Sequence, residues 1–505
     1  MADPVELVER SLADATRDEF DRRVAEQAAS VTAAVRDGRL ANPGFALGLE
    51  CELYAVDDDA RLARLPEEVF DGPCERELGL HNAELHTAPS PFAGEGIESQ
   101  VTQLRRQYQR AQRVADRHGV ELVLDGMWTV PPPEGTVSYL GGVDERDDVT
   151  VAENMTVSPR YYAIDNDVLD RAEGTLSLTV PGTVRDFPSI LFESLTSSIQ
   201  PHVQVPDPER FPQYYNTAIR TLGPVLALAT NSPLLPPDLY DVGDPYELFE
   251  TTFHELRIPV FEQSVNAGWE KVRFPDDIRT TTDVVDNLVA DPTCAPFLRE
   301  WIAGEDSETF DDQFWELGHK RGTYWRWLRG VVGGQPVGEG DQWSIRIEYR
   351  PLPTQPTITG VVGFQCLVAG LLRGLVSADH PLPELDHGAA ERSFYSAVES
   401  GLDADLAWIT ADGVRTTNAE EIYEEVFDFA RSGLREQGVP TDLVETYLGP
   451  IELRWDRRTT PSRWKLARVR EHLDRTGSLE VAIREMQTEY VRRAGTTAAF
   501  TYWGQ

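Results

Sequence analysis

The segment ALGLECELYAV (46–56) decides how the rest of the chain is read. Leu47, Leu49, Cys51, Leu53 and Ala55 hold one parity, while Glu50 and Glu52 stand on the other. Side chains along a strand alternate between faces, so this pattern predicts a strand with one greasy face and one carboxylate face. The alternation recurs in three other places. In 82–87, Ala83 and Leu85 alternate with Asn82, Glu84 and His86. In 199–205, Ile199, Val203 and Val205 alternate with Gln200, His202 and Gln204. In 344–350, Ile345, Ile347 and Tyr349 alternate with Arg346, Glu348 and Arg350.

A solvated face of an antiparallel sheet would explain any one of these strands. Such faces usually mix Lys, Thr and Ser, whereas these carry Glu, His, Gln and Arg. If the strands are neighbours, Glu50, Glu52, Glu84 and Glu348 converge, and clustered carboxylates repel unless a cation neutralises them. Hard oxygen ligands beside a histidine suit Mg²⁺ or Mn²⁺ better than zinc. Arg346 and Arg350 alongside could hold a polyphosphate bidentately. Neither GxxxxGK[ST] nor GxGxxG is present, so any nucleotide is held without a P-loop or a dinucleotide fingerprint.

Composition narrows the partners. The chain has 505 residues, 41% of them hydrophobic, with a formal net charge of -38. That field repels phosphate backbones and anionic membranes, so neither nucleic acid nor a membrane is expected as a partner. Lysine occurs only at 271, 320 and 465. Acidic excess with almost no lysine reads as a halophilic surface, where salt at molar concentration shortens the Debye length to about 3 Å. The four cysteines form no CxxC pair, and MADPVELVER lacks the apolar core of a leader. The apolar run 361–372 is too short to span a bilayer. A cytoplasmic location is therefore expected, and a homo-oligomer is left open.

The organisation is expected to be a helix over 4–38, a second over 95–118, a strand near 120–124 and a long loop at 131–150. A third helix follows at about 208–230, and a Gly-rich loop at 330–340. Beyond the Pro-rich 378–388 the pattern is mostly helical, with Asn418 and Ser478 as N-caps. This divides the chain into a catalytic region, 1–377, and a helical C-terminal region, 378–505. Strand parity assigns Cys51 to the core, and the aromatic cluster 324–329 reads as packing plus one site arginine, Arg329.

Taken in order, these segments resemble the glutamate–cysteine ligase family, in its carboxylate–amine ligase branch. GLECELYAVD (48–57), ELHTAPSPF (84–92), DGMWTVPP (125–132), IQPHVQVPDPERF (199–211), GPVLALATNSPLL (223–235) and SIRIEYRPLPTQPT (344–357) follow the family's sequence of motifs. Gln204 replaces a usual histidine, and Pro353 falls where an aspartate is common. The resemblance implies an α+β fold: a curved antiparallel sheet of the glutamine synthetase catalytic type, backed by helices. It implies a ligase that phosphorylates a substrate carboxylate with ATP and lets an amine attack the acyl phosphate. Glu50, Glu52, Glu84, His202 and Glu348 would be the metal ligands. Arg350, with Arg329, would act on the phosphoryl group, Arg346 and His202 would face ATP, and Arg257 and Gln204 would face substrate. Glutamate and cysteine are the default substrates. The alternatives are a ligase or guanidino kinase with other substrates, and a non-catalytic ATP-binding protein.

Overall fold

A computed structural model describes residues 3–72, 74–302, 309–334 and 342–503. The alternating segments lie side by side. Strands β1 (Ala46–Val56), β2 (Cys74–Arg76), β3 (Asn82–His86), β4 (Ser198–Gln204), β5 (Leu328–Val332) and β6 (Ile345–Tyr349) run β5-β6-β4-β1-β3-β2. Every neighbouring pair is antiparallel. Three short segments complete nine strands: Ser90–Pro91 and Glu121–Val123 on β1, and Leu352–Pro353 on β4. One edge of β1 is thus paired in turn by three partners, and the sheet curves around it. The fold is the α+β type that the alternation and the resemblance imply.

One face of the sheet is the core. Leu47, Leu49, Cys51, Leu85, Ile199, Val203, Ile345 and Ile347 are all buried, beneath the helices Gly94–Ala115 and Ile358–Ser377. Each such aliphatic side chain contributes about 1.5–3 kcal/mol on burial. Ile358–Ser377 is the one helix among the described residues long and apolar enough to cross a membrane, and 83% of its most apolar window is buried inside the protein. It extends beyond the 361–372 run on which the sequence reading rested. Its Gly370 and Gly374 let the helix Ala419–Glu436 approach until backbones touch: a Cβ on Gly374 would overlap the Phe429 carbonyl.

All three lysines are buried. Lys271 pairs with Asp291, Lys465 with Asp125, and Lys320 donates to Thr293 Oγ1 (3.0 Å) and the Val289 carbonyl (3.1 Å).

The structure departs from expectation in three places. The helix expected over 4–38 is two, Pro4–Leu12 and Asp14–Arg36, broken where Ala13 adopts an extended backbone. The first packs against the helix Pro159–Arg171 and the second against Trp315–Arg321, two directions that one straight stripe cannot serve. The expected loop 131–150 holds a helix, Thr136–Gly141, and part of a hairpin, Val143–Arg146 with Val149–Ala152. Asp147 and Asp148 turn that hairpin at φ 50° and 63°, as a type I′ turn requires. Gly330 belongs to strand β5 rather than to a loop. The remainder of the expected Gly-rich loop, 335–340, lies outside the described residues. His387 opens the helix His387–Ser400 and hydrogen-bonds the Pro275 carbonyl (2.9 Å).

Candidate active site

The opposite face of the sheet is where the charges gather. Register fixes the geometry: Glu52 lies across from Glu84, Glu50 from His86 and Gln200, and His202 from Glu348. Arg329 of β5 lies across from Glu348. Cys51 pairs with Leu85 and Ile199 and points the other way.

Two groups of acids emerge on this face. The first is Glu50, His202 and Glu348, whose ligand atoms lie within 4.8 Å of one another. His202 Nε2 sits 3.5 Å from Glu50 Oε1 and 3.8 Å from Glu348 Oε2, buried and without a hydrogen-bond partner. An imidazole nitrogen aimed between two carboxylates is a donor set that fits a divalent cation. Arg329 Nε (2.8 Å) and Arg350 Nη1 both reach Glu348 Oε1. Burial pushes the Glu348 carboxyl up, but these two guanidiniums outweigh it and hold it well below the usual carboxylate range. Burial likewise lowers the His202 imidazole, against the pull of Glu50 and Glu348, so it is neutral and able to ligate.

The second group is Glu52, Glu77, Glu84 and Glu193. Glu52 accepts from the Ser198 amide (2.7 Å) and hydroxyl (2.8 Å). Burial raises the Glu52 carboxyl despite those bonds. Burial and mutual repulsion hold Glu77 and Glu84 well above normal, and the two share a hydrogen bond. Burial and Glu52 push Glu193 up to about 8. His86 links the groups, with Nε2 2.8 Å from Glu84 and Nδ1 3.8 Å from Glu50.

A cavity of about 480 Å³ opens over this face. Glu50, Glu52, Glu84, Arg257, Arg329 and Arg350 all line it. Arg257 is anchored by the Pro351 carbonyl and by Glu255 at 3.4 Å. Arg346 and Gln204 line a separate cavity of about 180 Å³ with His202. Glu50 borders both spaces and His202 the smaller one. Gln204 donates to the Gly44 carbonyl (3.1 Å) and Arg346 to that of Gly333 (2.9 Å). Pro353 is buried in the strand pairing with Ser198 and lines neither cavity.

Sequence reasoning missed Glu77, Glu193 and His86 as site residues. His86 carries the signal of alternation and was available. Glu77 sits in the irregular stretch after β2 and Glu193 in the 3-10 turn Ile190–Leu195, where no periodicity marks a face.

Raised carboxyls make a stability prediction with a definite sign. A folded-state pKa above the unfolded one gives stability that is fully present below the unfolded pKa of about 4.5. It is lost as pH rises through the folded value, about 8 for Glu193. The metal-free protein is therefore expected to melt at lower temperature at pH 8 than at pH 5. Glu193→Gln should flatten that dependence. A melting temperature that rises from pH 5 to pH 8 in both proteins contradicts the protonated cluster.

An antiparallel sheet with acidic side chains on one face and helices on the other is the α+β arrangement that the resemblance implies. The profile of glutamate-cysteine ligase family 2 matches residues 46–497, and the chain belongs to that family. No curated protein sequence matches it. Among solved structures it is similar to the glutamate–cysteine ligase of Francisella tularensis in complex with AMP. The TM-score is 0.52 at 14% identity, covering 91% of this chain and 90% of the other. It is also similar to a bifunctional glutathione synthetase from Pasteurella multocida, with TM-score 0.52 and 14% identity. There the match takes in 89% of this chain and 52% of the other, so this chain spans about half of that protein.

Proposed function

We propose that the protein is an ATP-dependent carboxylate–amine ligase that forms an amide through an acyl phosphate. The observation that carries this is the Glu50–His202–Glu348 group, backed by Arg329 and Arg350, beside the cavity that Glu50, Arg329 and Arg350 line. Glu50, His202 and Glu348 would hold one Mg²⁺ or Mn²⁺, and Glu52, Glu77 and Glu84 another. Bound cations of this kind neutralise the transferring phosphoryl group and fix its oxygens.

The chain's own residues supply the rest. Arg350 is held by Glu348 and Gln200, so its guanidinium needs no reorganisation to meet a phosphoryl oxygen. Arg329 is fixed from behind by the Arg321 carbonyl (2.8 Å). Arg257, whose Nη2 lies 3.5 Å from the Arg350 carbonyl, would meet the substrate carboxylate. Arg346, in the smaller cavity with His202, would meet the nucleotide. The family name nominates glutamate and cysteine as the first pair to assay.

Hydroxylamine tests the reading without knowledge of the natural amine. With Mg²⁺ and ATP, at least one amino-acid carboxylate should yield a hydroxamate and ADP in equal amounts. If a broad panel of carboxylates gives neither, the ligase reading fails and a non-catalytic ATP-binding protein takes its place.

A further inference from the structure

The helical C-terminal region reaches the larger cavity through a chain of buried polar groups. Lys465 stands on the helix Pro461–Thr476. Its ammonium donates to the Asn231 carbonyl (2.7 Å) and to Asp125. The Asn231 amide in turn donates to Glu255 Oε2 (2.9 Å), and Glu255 Oε1 lies 3.4 Å from Arg257 Nε. Arg257 lines the cavity. Lys465, Asn231 and Glu255 have no solvent access. Residues 230–232 are thus gripped from two sides. Toward the C-terminal region, the Ser462 amide donates to the Thr230 carbonyl (3.0 Å), beside the Lys465 bond. Toward the site, the Leu256 amide donates to the Ser232 carbonyl (2.8 Å) and the Arg257 amide to Ser232 Oγ (3.1 Å).

Resting on the ligase reading above, we propose that Lys465 is a positioning residue for Arg257. It holds the Asn231 backbone against Glu255, and Glu255 sets the direction in which the guanidinium meets a substrate carboxylate. The two Asn231 bonds sit on the peptide planes that flank one Cα, so little backbone freedom separates Lys465 from Glu255. The side chain suits the task. Of the 47 lysines and arginines in the chain, only three are lysines. An ammonium is a compact charge with rotatable donors that acceptors on separate segments can share, whereas a guanidinium is a planar fork. A buried ion pair by itself is weak evidence for stability, since apolar groups of like volume often serve as well. What Lys465 adds is its bond to the Asn231 carbonyl. At the far end of the chain, Arg257 is held at Nε by Glu255 and at Nη2 by the Arg350 and Pro351 carbonyls. With Glu255 displaced, the guanidinium would pivot about that second hold. The site therefore depends on the C-terminal region, although no described residue beyond 377 lines the cavity.

The test uses the whole protein. Hydroxylamine with Mg²⁺ and ATP first identifies a carboxylate that is activated; if none is, the ligase reading falls and this inference with it. With that carboxylate, KM and kcat are measured in two variants. Lys465→Met alone would strand the Asp125 charge in the interior, so it is combined with Asp125→Asn, which removes both charges together. Glu255→Gln breaks the next link and leaves Lys465 in place. Each variant should raise the KM for the carboxylate by about tenfold or more, as a misaimed binding group does, while the KM for ATP keeps its wild-type value. Arg257→Lys keeps a charge but lacks the fork that Glu255 orients, so in that background the paired change should add nothing further. A parallel rise in both KM values overturns the inference while leaving the ligase intact, because general loosening would then be the cause. So does a paired variant with an unchanged carboxylate KM, or one whose effect persists in full beside Arg257→Lys. An unchanged carboxylate KM in Glu255→Gln overturns it independently of how the paired variant folds.

Discussion

Glu348→Gln is expected to cost the protein both its fold and its turnover. The carboxylate is the shared partner of Arg329 and Arg350, each with little solvent access, and lies 3.8 Å from His202. Removing one member of a buried ion network leaves the others uncompensated, at about 3–5 kcal/mol. That is a large fraction of a typical stability of 5–15 kcal/mol. Turnover per folded molecule should fall by about a hundredfold or more, as the proposed cation loses a ligand and Arg350 its support. Glu50→Gln separates the two effects. Glu50 belongs to the same group but among the described residues is flanked by His86 and His202 rather than by an arginine ion pair, and it is more exposed, so stability should hold while turnover falls at least tenfold. Denaturant midpoints and single-turnover rates on both variants decide it. Equal stability of the two would mean that the arginines do not depend on Glu348.

The second large effect lies far from the site. Gly433→Val should destabilise by about 3 kcal/mol or more, since overpacking a close-packed contact costs 1–3 kcal/mol and backbone clashes exceed that. A Cβ on Gly433 would overlap the Gly370 carbonyl, and one on Gly374 the Phe429 carbonyl. No side-chain rotation relieves a collision between backbones, so the Ile358–Ser377 and Ala419–Glu436 helices would have to separate. The sheet's apolar face rests on the first of these helices. Gly438→Ala serves as the comparison: it lies at φ 69° with open space around it, so it should cost only local strain of about 1 kcal/mol. A Gly433→Val protein that melts with the wild type would show that the helices do not cross so closely.

Much of this arrangement was legible in residue order. Parity alone put Glu50, Glu52, Glu84, His202 and Glu348 on one face and Cys51 on the other, because the side-chain period of a strand is two. Register was not legible, and it decides that Glu50, His202 and Glu348 form one group while Glu52 and Glu84 belong to another with Glu77 and Glu193. Pairing of strands distant in sequence depends on the whole sheet, and an acid in a 3-10 turn or an irregular stretch has no periodicity to betray its direction. The hairpin at 143–152 hid for a related reason: its acidic, Gly-flanked residues read as loop, though two aspartates at positive φ are what a tight hairpin turn accepts. The break at Ala13 followed from two different packing partners, which no single stripe reveals.

The burial of every lysine turns the side-chain amines into internal clocks. Lys271 and Lys320 share one packed region, held by acceptors within residues 289–293, and Lys465 lies in another, held by Asp125. A reagent that acylates amines can reach them only when the surrounding structure opens. Peptide mapping after timed exposure would therefore date the opening of two packed regions in one experiment, one of them read by two lysines, without a single introduced probe. On a protein with a lysine-rich exterior the same chemistry would be drowned by surface labelling.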